Sequence, residues 1–157
     1  MKRERERRAK PEKRQRVPLR PRARVHYLRP DPAMPHLVQL FLSPTRQHMR
    51  ATVYMKDNDW AACPDTAGMV RHYFSRATGR YAVRPGLIIA RMFLNAADLR
   101  HGGTEIISHE CTHAGMAWAR LRSANLRHMP GEEVLCYAVG RMTRQAVNLC
   151  HAAGVWQ

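Results

Sequence analysis

Three stretches of the chain have the hydrophobic pattern of β-strands. Residues 36–42 form a short apolar run bounded by prolines, which predicts a buried strand. Residues 86–94 are the strongest strand candidate, because they form a longer apolar run of high β-propensity. Residues 69–75 alternate apolar and polar side chains after a turn-rich loop at 57–68, so they predict a third strand, and Gly79 marks the next turn.

Helical spacing and terminal signals predict three helices. The Ser-Pro pair at 43–44 favours a helix over 44–56, because serine caps free amides and proline is tolerated at the first helical position. The sequence Gly-Gly-Thr-Glu at 102–105 offers a break, a cap and an acidic first turn, and helical spacing continues to about residue 122. A further long helix is predicted over about 132–151. Apolar side chains at helical intervals in the last two helices are expected in the core: Trp118, Leu121, Leu135, Val139, Met142 and Leu149.

The charge is concentrated at the N-terminus. The 157 residues include 27 Lys and Arg against 12 Asp and Glu, and twelve of the basic residues lie in residues 1–24. This segment has few apolar side chains to offset the entropy of ordering, so we expect a disordered basic tail followed by one domain over 25–157. The tail is expected either to aid solubility or to contact nucleic acid or another polyanion without sequence selectivity.

The sequence gives no sign of a membrane segment. No apolar run approaches the roughly 20 residues of a membrane-spanning helix, and no apolar signal-peptide core follows the basic N-terminus, so we expect a soluble, cytoplasmic protein. The four cysteines form no Cys-x-x-Cys pair, which favours free thiols over disulfides: Cys63, Cys111, Cys136 and Cys150.

A His-Glu-x-x-His motif lies on the helix predicted over 104–122. His109 and His113 are four residues apart and therefore project from one helical face, where both imidazoles can bind one metal ion. Catalytic zinc usually takes three protein ligands and leaves one position to water. Glu110 is placed to act as the general base for that water, so the motif predicts one Zn²⁺ per chain and hydrolysis of a peptide bond.

The motif and the acidic start of the next helix resemble the gluzincin side of the zincin metallopeptidases. The resemblance covers about residues 87–155 and is closest to small phage-type and ImmA/IrrE-like metallopeptidases. It implies an α+β, zincin-like fold, in which a small and mostly antiparallel sheet packs on the motif helix. It also implies a glutamate ligand from the following helix, with a small residue three positions later. Glu133 followed by Cys136 has that form, and Glu132 is the alternative ligand.

Other residues near the motif are weaker candidates for metal ligands or for groups that support a ligand. Several relatives have an acidic or amide residue four positions after the glutamate ligand, where this chain has Tyr137, which could donate a hydrogen bond to a ligand histidine. His128 and His151 are further candidates for the third ligand. Met116 and Ala119 stand where a metzincin needs glycine and histidine, which disfavours that class.

The remaining histidines and cysteines are expected to have no part in the site. Cys111 is two positions past His109, so it points away from the histidine face, and we expect it and Cys136 to be packing residues. The predicted function is therefore a zinc metallopeptidase acting on a protein or peptide. The alternative is a non-catalytic zinc-binding protein that engages nucleic acid or an acidic partner through residues 1–24.

Overall fold

The computed structural model describes residues 23–57, 67–75, 80–81, 83–84 and 87–156. The described strands are β1 (Arg24–Leu28), β2 (Leu37–Ser43), β3 (Gly68–His72), β4 (Phe74–Ser75), β5 (Arg80–Tyr81) and β6 (Ile88–Asn95). The described helices are α1 (Arg46–Asp57), α2 (Ala96–Leu99), α3 (Gly103–Leu121) and α4 (Met129–Ala152). The chain is α+β, as predicted. Within these ranges no helix is both long enough and apolar enough to cross a membrane.

Four strands form one sheet in the order β1-β2-β6-β3, and β4 pairs with β5 separately. β1 and β3 run antiparallel to their neighbours, whereas the central strands β2 and β6 are parallel. The sheet is therefore mixed, with two of its three pairings antiparallel. The parallel pairing of β2 with β6 is possible because α1 and the strands β3 to β5 separate the two along the chain. The strand β1 was not predicted, and it begins at Arg24, the last residue of the predicted tail.

The two faces of the sheet carry different layers. Alternate side chains of β2 and β6, among them Leu40 and Met92, pack in one core with α3 and α4. The opposite side chains Phe41 and Phe93 stack with ring centroids 5.0 Å apart and lie beneath α1, where Val53 is fully buried. The sheet thus separates the motif helix α3 from α1.

The start of α1 differs from the prediction. His48 donates its backbone N–H to Oγ1 of Thr45 over 3.4 Å, so Thr45 and not Ser43 supplies the capping oxygen. Ser43 is instead the last residue of β2, fully buried, and its hydroxyl makes no hydrogen bond within the described part of the chain. The strand continues through Ser43 because that residue pairs with Asn95 of β6.

Close packing of α3 on α4 depends on a glycine in α3. A Cβ at Gly115 would lie 2.5 Å from Cγ2 of Val139 and 3.1 Å from Cδ1 of Leu135. The expectation that Cys136 is a buried small residue at this interface is wrong, because Cys136 is exposed. The two helices approach closely because Gly115 of α3 has no side chain, and not because Cys136 of α4 has a small one.

The helix α4 begins earlier than predicted and is joined to the sheet. Pro130 lies in its first turn, a position that tolerates proline, and a Cβ on Gly131 would collide with the carbonyl oxygen of Asn125. Further along, the amide of Gln145 exchanges two hydrogen bonds of 3.0 Å with the backbone N–H and carbonyl of Arg29, just after β1. The first turn of α4 is thus held against the segment that joins α3 to α4, and the middle of α4 is held against the sheet.

Candidate metal centre

The packing of α3 leaves the histidine face of the motif outside the core. Ile107, Cys111, Ala114 and Trp118 are buried against the sheet and α4, and they recur at intervals of three or four residues. His109 and His113 lie on a different face and are exposed. The helix thus displays both imidazoles to solvent at a site that a metal ion can reach.

The two imidazoles of the motif converge on one point. Nε2 of His109 and Nε2 of His113 are 3.1 Å apart, and the ring planes are inclined by 77°. Two zinc–nitrogen bonds of about 2.0–2.1 Å at a tetrahedral angle would place the nitrogens about 3.3 Å apart, so the pair is arranged for chelation with little movement. Without a metal, one ring can donate a hydrogen bond to the other in the appropriate tautomer.

Glu110 lies between the histidine face and the sheet. Only 6% of the residue is exposed, and its side chain lies against the backbone of Gly68 at the start of β3. Burial raises the pKa of Glu110, and the positive charge of nearby His109 partly opposes that rise. A carboxylate held in this environment is a stronger base than one in water, which suits proton transfer.

Gly68 provides the space that the carboxylate of Glu110 occupies. A Cβ at residue 68 would lie 2.8 Å from Cγ of Glu110 and 3.1 Å from its Oε1. We therefore expect Gly68→Ala to lower the free energy of unfolding in urea by about 1–3 kcal/mol through overpacking. In a Glu110→Ala background, the loss of unfolding free energy caused by Gly68→Ala should be smaller by about 1 kcal/mol or more, because residue 110 then lacks Cγ and Oε1. Equal penalties in both backgrounds would disprove this contact.

A cleft of about 360 Å³ opens beside Glu110, between the start of β3 and the first turns of α3. Its walls also include His109, and the other residues that line it are Ala67, Gly68, Glu105 and Ile106. Glu105 is exposed and gives this end of the cleft a negative charge. The motif therefore faces a concave surface large enough to hold a short segment of chain.

His72 lies near the site, although its spacing in the sequence did not suggest a role. Gly68 and His72 are four residues apart in β3 and project from the same face of the sheet, towards α3. The pKa of His72 is lowered, first by burial and then by the positive charges of Arg120, His113 and Arg71. The far end of the histidine face is thus electropositive. Only the register of β3 against α3 brings these residues together, and the sequence does not show it.

The structure does not bring the predicted α4 residues to the two histidines. Glu132 and Glu133 are both exposed in the first turns of α4. Glu133 is two residues after the buried Gly131, about 200° around the helix, so it projects away from the core. Tyr137 is 68% exposed on that same outward face. Among the described residues no group of three or more His, Cys, Asp or Glu is arranged to hold a metal ion, so the third ligand stays a prediction.

The other candidate ligands occupy separate places. His128 is exposed and directly precedes α4, and the ring of His151 lies against Trp156 with centroids 4.9 Å apart. Cys111 is fully buried as predicted, and burial raises the pKa of its thiol to about 12. Cys111, Cys136 and Cys150 are free thiols. Cys63 and the tail at 1–22 lie outside the described residues.

Comparison of the chain with protein-family models, with curated proteins and with solved structures finds no match. The site consists of the pair of histidines, the buried glutamate between them and the sheet, and the cleft that His109 and Glu110 border.

Proposed function

We propose that this protein is a zinc-dependent metallopeptidase. The observation that carries the proposal is the convergence of His109 and His113, whose Nε2 atoms are 3.1 Å apart beside the buried carboxylate of Glu110. His109 and His113 would hold the ion, which supplies Lewis acidity and increases the acidity of water when bound. We propose Glu133 as the third ligand and Glu132 as its alternative, and either requires the start of α4 to shift towards the histidines.

Glu110 is proposed as the general base. Its carboxylate accepts a proton from the attacking water as the water oxygen bonds to the scissile carbonyl carbon. It then passes that proton to the leaving nitrogen as the C–N bond breaks, which yields a carboxylate and an amine. The contact with Gly68 restricts the carboxylate to the side of α3 that borders the cleft. This restriction reduces the reorientation needed for the two transfers.

The cleft supports a peptide as the substrate. It borders the start of β3 and Glu110 and has the carboxylate of Glu105 in its wall, while Arg120 places positive charge near His72, at the other end of β3. An extended peptide crossing it would place one carbonyl carbon near the carboxylate of Glu110. Negative charge in the cleft and positive charge further along β3 favour one direction of binding over the other.

Removal of metal tests the proposal. The full chain, loaded with one equivalent of zinc, is expected to cleave members of a quenched fluorescent peptide library. Dialysis against 1,10-phenanthroline should abolish cleavage, and added zinc should restore it, because Glu110 alone cannot activate water sufficiently. Hydrolysis that continues at full rate in the metal-free chain would contradict the proposal, as would a zinc-loaded chain that leaves the whole library uncut.

A further inference from the structure

A row of polar and aromatic side chains crosses the sheet on the face opposite to α3. It takes one residue from each strand, and these are successive cross-strand partners: Tyr27, Gln39, Arg91 and Arg71. Direct partners project from the same face of a sheet. Phe41 and Phe93, two residues further along β2 and β6, are covered by α1. The row therefore lies next to the part of the sheet on which α1 packs.

Hydrogen bonds connect three members of the row: Tyr27, Gln39 and Arg91. Gln39 donates Nε2–H to the hydroxyl of Tyr27 over 3.3 Å, and Arg91 donates Nε–H to Oε1 of Gln39 over 3.2 Å. A second nitrogen of Arg91 donates to the backbone carbonyl of Lys56, near the end of α1, over 2.9 Å. The amide of Gln39 is thus oriented by both neighbours, and the guanidinium of Arg91 is held in place.

Tyr73 extends this arrangement beyond the edge of β3. The guanidinium carbon of Arg84 lies 4.2 Å from the centroid of the Tyr73 ring, and that of Arg91 lies 5.8 Å from it. Both distances are in the range of cation–π interactions. We call the resulting surface the outer-face cluster, and it consists of Tyr27, Gln39, Arg71, Tyr73, Arg84 and Arg91.

The outer-face cluster is cationic and partly open. It contains three arginines, and the sequences of β1, β2, β3 and β6 include no Asp or Glu. Tyr27 is 53% exposed and Arg84 is also exposed, so an aromatic ring and a planar cation are accessible at opposite ends of the cluster. Four strands about 4.8 Å apart span roughly 15 Å between them.

We propose that the outer-face cluster binds single-stranded nucleic acid. The guanidinium groups would contact phosphates, while bases stack on the ring of Tyr27 and on the guanidinium plane of Arg84. A sheet surface of this width accommodates about two to three nucleotides. This site is separate from the histidine pair, which lies on the other side of the sheet.

The chemistry of the cluster favours a nucleic acid over an acidic protein. Both ligands offer negative charge to the arginines, but only unstacked bases offer flat faces to an exposed tyrosine ring and a guanidinium plane. A duplex would present its phosphates while its bases remain stacked inside. Binding of a single strand should therefore depend on Tyr27 as well as on the arginines.

Fluorescence anisotropy of the full chain with a labelled 15-nucleotide oligo(dT), over a range of KCl concentrations, tests this proposal. Arg71→Gln with Arg84→Gln should raise Kd about 10-fold and lower the slope of log Kd against log salt by about one to two. Tyr27→Leu should raise Kd about 5-fold or more with an unchanged slope. The matched control Arg144→Gln, on the exposed side of α4, should leave Kd within about twofold.

Two results would overturn the proposal. One is a loss of affinity in Arg144→Gln as large as that in Arg71→Gln with Arg84→Gln, which would assign binding to overall charge and the basic tail. The other is an unchanged Kd in Tyr27→Leu together with equal weakening of oligo(dT) and poly-L-glutamate by the arginine substitutions, which would indicate a general site for acidic partners. Each variant retains residues 1–22, so differences between variants report on the cluster.

Discussion

Replacing Glu110 with glutamine is expected to lower kcat/KM for peptide hydrolysis by about 10²–10⁴-fold. Glutamine has nearly the same shape and can fill the space beside Gly68, but it cannot accept the proton of the attacking water. Because His109 and His113 are unchanged, the variant should still bind about one zinc per chain. Activity is measured with the most rapidly cleaved library peptide, and zinc by native mass spectrometry.

Two control variants separate the chemistry of Glu110 from its packing. Glu110→Asp retains a carboxylate but shortens the side chain, so it should recover part of the activity if position and charge both matter. Glu105→Gln removes the exposed carboxylate at the end of the cleft and should change KM more than kcat. If Glu110→Gln hydrolyses peptides as fast as the native chain, Glu110 is not the base.

Substitution of either motif histidine is expected to abolish tight zinc binding. Residues that only support a metal ligand contribute about 10–100-fold to affinity, so loss of a ligand from His109→Ala or His113→Ala should exceed about 100-fold. His101→Ala serves as the matched control, because His101 is exposed in the turn that precedes α3. Zinc competition with a chromogenic chelator measures the affinities.

The double variant distinguishes a shared site from two separate ones. If both imidazoles bind one ion, His109→Ala with His113→Ala should bind zinc no more than moderately worse than either single variant, since each single change already destroys the chelate. If the losses of zinc affinity in the two single variants instead add up in the double variant, each histidine binds its own ion at a separate site. Unchanged affinity in both single variants would show that zinc is bound elsewhere.

Local patterns in the sequence predicted most of the elements that carry the site. α3 follows from a glycine break and from apolar residues at helical spacing, and those same residues orient His109 and His113 outward. The strand β6 follows from a long apolar run, since it is central in the sheet and covered on both sides. These features depend on the spacing of apolar residues along the chain, which can be read directly from a sequence.

Features that depend on tertiary register could not be predicted. Ser43 has the sequence context of a helix cap, but pairing with β6 draws it into a strand. Cys136 has the size expected at the helix interface, yet the rotation of α4 turns it to solvent and Gly115 provides the close approach. His72 reaches the histidine face only because β3 pairs beside β6 and lies against α3. In each case packing of distant segments overrides a local signal.

The same distinction separates the two histidines from the proposed glutamate ligand. The four-residue spacing of His109 and His113 is a local property of one helix, and the structure places their Nε2 atoms 3.1 Å apart. The contribution of Glu133 depends instead on the rotation of α4 relative to α3, and in this structure that residue faces outward. Binding of zinc would favour any state in which a carboxylate of α4 turns towards the histidines.

The most direct test is a crystal structure of the zinc-loaded chain with anomalous diffraction recorded on both sides of the zinc absorption edge. We expect one anomalous peak within about 2.0–2.1 Å of Nε2 of both His109 and His113, with a carboxylate oxygen of Glu133 or Glu132 as the third ligand and one position left to water. A peak away from the two imidazoles, or four protein ligands around the ion, would contradict a catalytic metal centre at this motif.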